Sequence, residues 1–539
     1  MTRSLKKSIE DLRANRSGGS HWPTVLLISN LLLASLFLYR FLFMWPFTPI
    51  NPYARGDWYF AANPAIMMVE QGQLLYRDAF EFATPGVTLL DALIFRFIGL
   101  QPWIPNVLSM LLGISLVGLS FVISKNVMGL KFAILPGSLY LLYTYGELLD
   151  PVHHFYSLLA GMLAVAVLLE GRTTTRLAAA GALCGISACF TQSKGFAIYV
   201  GIAVFLIWEL RQKRERWRVC LTEELYLAGA FTAVLLFVNG YFIWHSGITR
   251  FFWCVFIFPA KYFPKQANFN SFMVIHEYLP HFDYHLHSIY FDARRLVLLL
   301  TTPCVLGAFF LYYWSDRGKH SRGLWARPML IACVGTLMFL SILNSPRPIR
   351  MAMGSLPALI LLGWFASLVK RPHAVMVIAT VTIVPVVLYC TVHLRPIVAG
   401  IVHTSRGDIA ILKPYAYQCA EYRWIFQHTR PGEYFYAPLA ADVYFYFDLL
   451  NPTPLSRIVN NGYTTPDQVN DVIRGIEEHR VRYIYWSPAD GLDSIPKWED
   501  PADANLEPLR TYIRAHYNVA QTFPGVPDLI WERRLEPVH

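Results

Sequence analysis

Ionisable residues that no solvated loop requires recur at one end of successive apolar stretches. Asp57 stands in "GDWYFAANPA", Asp150 in "LLDPVHHFY", Lys194 in "TQSKGFAIY", and Arg347 with Arg350 in "NSPRPIRMAMG". A carboxylate at the water line can take a proton from a hydroxyl. An ammonium, or the planar fork of a guanidinium, can hold a phosphate. Arg40, Asp78, Glu81, Asp91, Arg96, Glu147, His153, His154, Lys261 and Lys265 fall on the same side of the apolar segments. Charges at membrane depth are costly and usually functional, whereas loop charges are usually only solvated, so the shared face carries the information. It points to an active site at the outer leaflet, where a lipid-linked substrate and a water-side partner meet.

Such residues need a scaffold, and hydropathy supplies it. The chain has 539 residues, 55% of them hydrophobic and only 15% charged, and a mean hydropathy of +0.37, too apolar for a soluble protein of this length. It reads as a polytopic α-helical membrane protein. Basic clusters recur at alternate loops: the head with Lys6, Lys7 and Arg13, then Lys125 and Lys131, Arg172 and Arg176, Arg211 to Arg218, Arg317 to Arg327, and Lys370 with Arg371. Placing these inside gives about eleven crossings, near 24–45, 104–124, 132–148, 155–169, 177–193, 196–210, 223–244, 295–314, 328–343, 353–369 and 373–394. The same clusters account for the net charge of +10 without a nucleic acid partner. Val87 to Leu100 is apolar but holds Asp91 and Arg96, and a crossing there would turn every later basic loop outward. It is therefore expected as an amphipathic helix on the outer surface.

This divides the chain into a cytoplasmic basic N-terminus (1–23), a transmembrane module (24–394) with outer loops 46–103 and 245–294, and a C-terminal extracytoplasmic α/β domain (395–539). In the last part, strand-like "EYFYAPL" and "VRYIYWSP" alternate with helix-like "TTPDQVNDVIRGIEEHR", where Thr465 suits a helix cap and Pro466 the first turn. It contains no GxGxxG, P-loop or metal-ligand spacing, and is expected to be a lid or an acceptor-docking module. The eight cysteines form no disulfide framework. No allowed Asn-x-Ser/Thr sequon falls on the outer side, which favours a bacterial inner membrane. The stretch "IHEYLPHFDYHLHS" is rich in histidine but lacks HExxH spacing, so no metal is assigned there.

Taken in order, Asp57 after the first span, "QGQLLYRDAFEFATPG" before an apolar surface helix ending in "FIG", "LLDPVHHFYSLLAG", and "TQSKGFAIY" resemble the GT-C class of membrane glycosyltransferases. The likeness is to the branch that includes the lipid A aminoarabinose transferase, the lipopolysaccharide galacturonic acid transferases and the protein O-mannosyltransferases. The resemblance implies a hexosyl or pentosyl transfer from a polyprenyl-phosphate-linked sugar donor to a hydroxyl of a glycan, lipid or protein acceptor, at the outer face of the plasma membrane. It implies Asp57 as general base and Asp150 as a second acid that orients the acceptor or the surface helices. It needs no cofactor, although a divalent cation is compatible with the class. Lys194, Arg350, Arg347 and Thr84 are the candidates for the donor phosphate. Relatives often carry His-Pro-Pro or Lys-Pro where this chain has Ala83-Thr84-Pro85, and Thr84 brings one hydrogen bond and no charge.

Bland roles stand beside these. Asp57 could cap the helix that follows it, Asp150 could only make an Asp-Pro turn, and Lys194 could snorkel. A lipid-linked sugar flippase or transporter is a rival class, but such proteins show internal repeats and midplane charges, and the sequence shows neither. A polysaccharide polymerase or ligase shares the phosphate chemistry and stays open. The topology makes a simple forecast: a reporter fused after His539 is active outside the cytoplasm and one placed near Arg214 inside it. Two active fusions on the same side would contradict it.

Overall fold

The computed structural model describes residues 21–51, 56–145, 148–214, 217–265, 274–276, 286–317, 322–369, 396–488, 492–493 and 504–534. The chain opens with α1 (Trp22–Leu42), two short strands β1 (Phe43–Met44) and β2 (Thr48–Asn51), then α2 (Asp57–Glu70) and α3 (Gly86–Ile98). A run of helices follows: α4 (Ile104–Met128), α5 (Leu135–Tyr143), α6 (His153–Leu169), α7 (Thr174–Phe190), α8 (Gln192–Lys213) and α9 (Trp217–Ser246). After the short α10 (Ile248–Phe252) and α11 (Phe258–Tyr262) come α12 (Leu286–Asp316), α13 (Arg322–Leu340) and α14 (Pro348–Leu368). Every expected span but the last overlaps one of these helices, 132–148 only through the 9 residues of α5, and the last, 373–394, lies outside the described residues. So does most of the histidine-rich stretch.

Among the described residues, 5 helices are long and apolar enough to cross a membrane: Trp22–Leu42, Ile104–Met128, Gln192–Lys213, Trp217–Ser246 and Leu296–Asp316. Their outward side chains, such as Leu33, Leu36, Phe237 and Leu311, are exposed and apolar, as a lipid-facing surface requires. Inward, small residues let helices close on one another. A Cβ at Gly195 would stand 2.1 Å from the backbone nitrogen of Ala188, so α8 leaves the turn pressed against α7.

Helix α3 is 13 residues long, about 20 Å, and too short for a hydrocarbon core of roughly 30 Å. It buries Val87, Thr88, Asp91 and Phe95 against the bundle and exposes Leu93, Phe97 and Ile98. This two-sided apolar character suits a helix lying along a membrane surface. It is docked by the Thr84-Pro85-Gly86 turn. The Thr84 hydroxyl donates to the carbonyl of Ala188 at 2.8 Å, and the Cα of Gly86 faces the backbone of Cys189.

The C-terminal region is α/β. Strands β3 (Val398–Thr404) and β4 (Gly407–Leu412) pair antiparallel, and β4 also pairs in parallel with β2, giving the order β1-β2-β4-β3. Residues just after the first helix thus complete a sheet begun some 350 residues later (from 51 to 398). Then follow α15 (Gln418–His428), β5 (Phe435–Tyr436), α16 (Asp442–Phe447), α17 (Pro466–Glu478), β6 (Tyr483–Trp486), α18 (Glu507–His516), β7 (Tyr517–Thr522) and β8 (Leu529–Arg533). The second sheet has the order β5-β6-β8-β7. Helix α17 starts where its sequence says: the Thr465 hydroxyl accepts from the Gln468 N–H while the Gln468 side chain accepts from the Thr465 N–H, with Pro466 in the first turn.

The docking turn yields a stability prediction. In Gly86→Ala the new methyl would sit 2.5 Å from the Cys189 carbonyl oxygen, and backbone cannot give way as a flexible side chain would. The melting temperature of the full chain in detergent should fall, by an overpacking cost of about 1–3 kcal/mol. An unchanged melting temperature would mean that α3 does not dock as described.

Candidate active site

Helix α2 begins at Asp57, with Gly56 as its N-cap and no side-chain cap of its own. The Asp57 carboxylate therefore does not cap the helix, and its side chain is 63% exposed. The cap comes from elsewhere. Asp150 accepts the backbone N–H of Trp58, with 3.3 Å to each carboxylate oxygen, and that of Asp57 as well. An acid 92 positions away in sequence from Trp58 thus satisfies the orphan donors of the helix that presents Asp57. Burial first, and the Asp57 carboxylate second, push the Asp150 carboxyl up to about 8, although the two backbone N–H groups oppose the shift. The two acids expected from the sequence are brought together, with different parts: Asp57 faces outward and Asp150 holds its backbone.

The cations gather at helix starts. Lys194 is the third residue of α8 and buried, Arg347 is the N-cap of α14, and Arg350 stands in the first turn of α14. Arg350 lies within electrostatic reach of Lys194, of Arg347 and of Asp57, and both Lys194 and Arg350 act on His153 and His154 at the start of α6. The N-termini of α2, α6, α8 and α14 therefore meet around one place. Helix starts carry partial positive charge and unsatisfied N–H groups, so this convergence suits an anion before any side chain is counted. The Nε of Arg347 is buried with no hydrogen-bond partner among the described residues, a donor still to be used.

Thr84 is not part of this cluster's donor set. It is buried, and its one hydroxyl proton goes to Ala188, so it docks the surface helix instead of offering a hydrogen bond to a phosphate. Its partner, a backbone carbonyl 104 positions away, leaves no trace in the sequence.

Two acids given no catalytic or binding role from the sequence prove to be special. Glu81 accepts the N–H groups of Phe82 and Ala83 at 2.8 and 3.0 Å through one oxygen, and burial, partly offset by those bonds, pushes it up to about 7. Tyr463 stands within electrostatic reach of Glu81, Arg457 and Asp57. Asp91 is fully buried in α3 facing the Trp58 indole, and burial holds it well above the usual carboxylate range. Nothing in the spacing "FEFATPG" or "LLDALIF" marks either environment. Among the described residues no group of three or more His, Cys, Asp or Glu is arranged to hold a metal ion.

No protein-family model matches the chain, and no curated protein matches it. Among solved structures, the fold is like that of ArnT from Cupriavidus metallidurans bound to undecaprenyl phosphate, with a TM-score of 0.51 and 13% identity over 95% of this chain and 98% of that one. A weaker likeness, on which nothing further rests, is to the archaeal oligosaccharyltransferase AglB from Archaeoglobus fulgidus in complex with an inhibitory peptide and a dolichol-phosphate. Its TM-score is 0.47, with 12% identity over 86% of this chain and 70% of that one. The chain shares the overall fold of that ArnT structure. Its apolar helices make it a membrane protein.

The raised Asp150 carboxyl predicts a pH dependence of stability. An acid whose folded pKa lies above its unfolded value of about 3.9 binds its proton more tightly in the fold. Its contribution is complete below the unfolded value and is lost as pH rises through about 8. Wild-type melting temperature should therefore fall more steeply between pH 5 and pH 8, by roughly the titration of one group, than that of Asp150→Asn. Parallel curves for the two proteins would show that Asp150 is ionised throughout.

Proposed function

We propose that this chain is an integral membrane glycosyltransferase that moves a sugar from a polyprenyl-phosphate donor to an acceptor hydroxyl at the outer face of the plasma membrane, with inversion. The observation that carries the reading is the cluster of Lys194, Arg347 and Arg350 beside Asp57, where the starts of α8 and α14 meet. Such a cluster suits a lipid phosphate leaving a sugar, and a carboxylate next to it suits the incoming hydroxyl.

The chemistry runs as one displacement. Asp57 takes the proton of the acceptor hydroxyl as its oxygen bonds to the anomeric carbon of the sugar. The bond from that carbon to the phosphate oxygen breaks, and the electron pair leaves with the polyprenyl phosphate. Lys194, Arg350 and Arg347 stabilise the charge that develops there, with Arg groups offering the planar fork that phosphate geometry matches. Asp150 keeps the first turn of α2 in place through its two backbone N–H contacts. ArnT was solved with undecaprenyl phosphate, which supports a lipid phosphate as the anion for this fold. The C-terminal region stands on the acceptor side in this reading, and the bundle lies in a bacterial inner membrane with the site toward the periplasm.

Mass spectrometry of envelope glycolipids and glycoproteins from a deletion strain should show one sugar substituent lost, restored by the wild-type chain. Asp57→Asn keeps size and polarity but cannot accept the proton, so transfer should fall about 10²–10⁴-fold. Asp57→Glu should recover little, since a displacement of about 1 Å costs roughly 10²-fold. An Asp57→Asn chain that restores the sugar fully would end the assignment of the base.

A further inference from the structure

Helix α2 is gripped along its length by the C-terminal region. At its first residue, Nη1 of Arg457 lies 4.0 Å from Oδ1 of Asp57. Next, Phe445 of α16 meets the Trp58 ring edge-on at 5.2 Å between centroids. Then the buried hydroxyls of Tyr59 and Tyr446 hydrogen-bond, and Tyr422 donates to the buried Asp442 beside them. At the last residue, Nη2 of Arg406 lies 2.6 Å from Oε1 of Glu70. The helix that presents Asp57 is thus fixed at both ends and in its first turn by residues more than three hundred positions later in the chain.

Arg457 is itself held. Its guanidinium lies 5.3 Å over the Phe60 ring. The loop that carries it, 451–465, is anchored to the bundle's polar end by the Phe80 N–H, which donates to the Pro454 carbonyl at 2.8 Å. Within the loop, Asn451 donates to the Leu455 carbonyl at 2.9 Å and accepts the Thr453 N–H at 3.0 Å. Tyr463 closes it, with ring centroids 5.3 Å from Phe258 and 5.8 Å from Phe263. An exposed aspartate on the first turn of a helix has rotamer freedom, and a guanidinium held beside it removes part of that freedom. Arg350 acts on the same carboxylate from α14, and Asp150 and Tyr463 also lie within electrostatic reach of it.

We propose that Arg457 is a positioning residue for Asp57, which makes the C-terminal region a working part of the active site and not a lid or docking module alone. The inference rests on Asp57 being the base. Because a misplacement of about 1 Å costs roughly 10²-fold, loss of this contact should be felt in turnover more than in folding.

The test uses the full chain in the deletion strain, reading the restored sugar by mass spectrometry and the melting temperature of each purified variant. Arg457→Ala should lower transfer about tenfold or more with an unchanged melting temperature. Arg457→Lys should restore part of it, because an ammonium keeps the charge but not the fork. Arg457→Glu should be worse than alanine, while Arg474→Ala, which breaks an exposed pair within α17, should transfer normally. Wild-type transfer in Arg457→Ala alongside an inactive Asp57→Asn would overturn this inference and leave the base standing. A lysine variant no better than alanine, with both melting lower, would also overturn it, as a purely structural contact. Normal transfer in Asp57→Asn would instead remove the base on which it rests.

Discussion

Arg350 repels both Lys194 and Arg347, and the bundle holds the three near one another at the edge of an apolar medium where repulsion is poorly screened. Such an arrangement costs free energy in the resting protein, and the Asp57 carboxylate, within reach of Arg350, offsets part of it. An anion bound among the three would lower that cost further. Much else follows from keeping that cluster in place. Gly195 lets α8 turn back tightly against α7 at Ala188, and the Thr84-Pro85-Gly86 turn seals the same corner from the surface helix. Proline in the first turn of α14 starts that helix between Arg347 and Arg350.

The acid side of the site depends on contacts that cross the whole chain. Asp150 caps α2 from one direction, and the C-terminal region grips it from another through Tyr446, Phe445, Arg406 and Arg457. The β2 strand just upstream is built into a sheet with β4. A carboxylate at the first turn of a 14-residue helix thus becomes a fixed feature without being buried. In the proposed reaction, exposure leaves it open to a water-side acceptor, and the clamps supply the order that exposure would otherwise deny it.

What the sequence showed and what it hid have a common physical reason. Apolar runs and alternating basic loops are local signals, so α1, α4 and α6 to α9 fall where hydropathy places them. The Thr465 cap of α17 and the Pro466 of its first turn are local too and form as read, and Gln468 completes a capping box that the structure adds. Asp57 and Asp150 were found by order and spacing, but that Asp150 bonds the backbone beneath Asp57 depends on how α2 meets the loop before α6. Thr84 is a phosphate candidate only through its position in the resemblance, and its backbone partner in α7 is invisible in one dimension. The pairing of residues 48–51 with β4, and the reach of Arg457 to Asp57, are long-range contacts between segments with no shared pattern. Glu81 and Asp91 are unusual only through burial, which composition does not report.

The central claim is that the meeting of helix starts and three cations binds a lipid phosphate, and equilibrium binding of undecaprenyl phosphate to the purified full chain tests it most directly. Saturable binding that weakens about tenfold or more in both Arg350→Ala and Lys194→Ala, and that Arg350→Lys recovers only in part, is the result the account predicts. Binding of equal strength in the wild type and both alanine variants would contradict it.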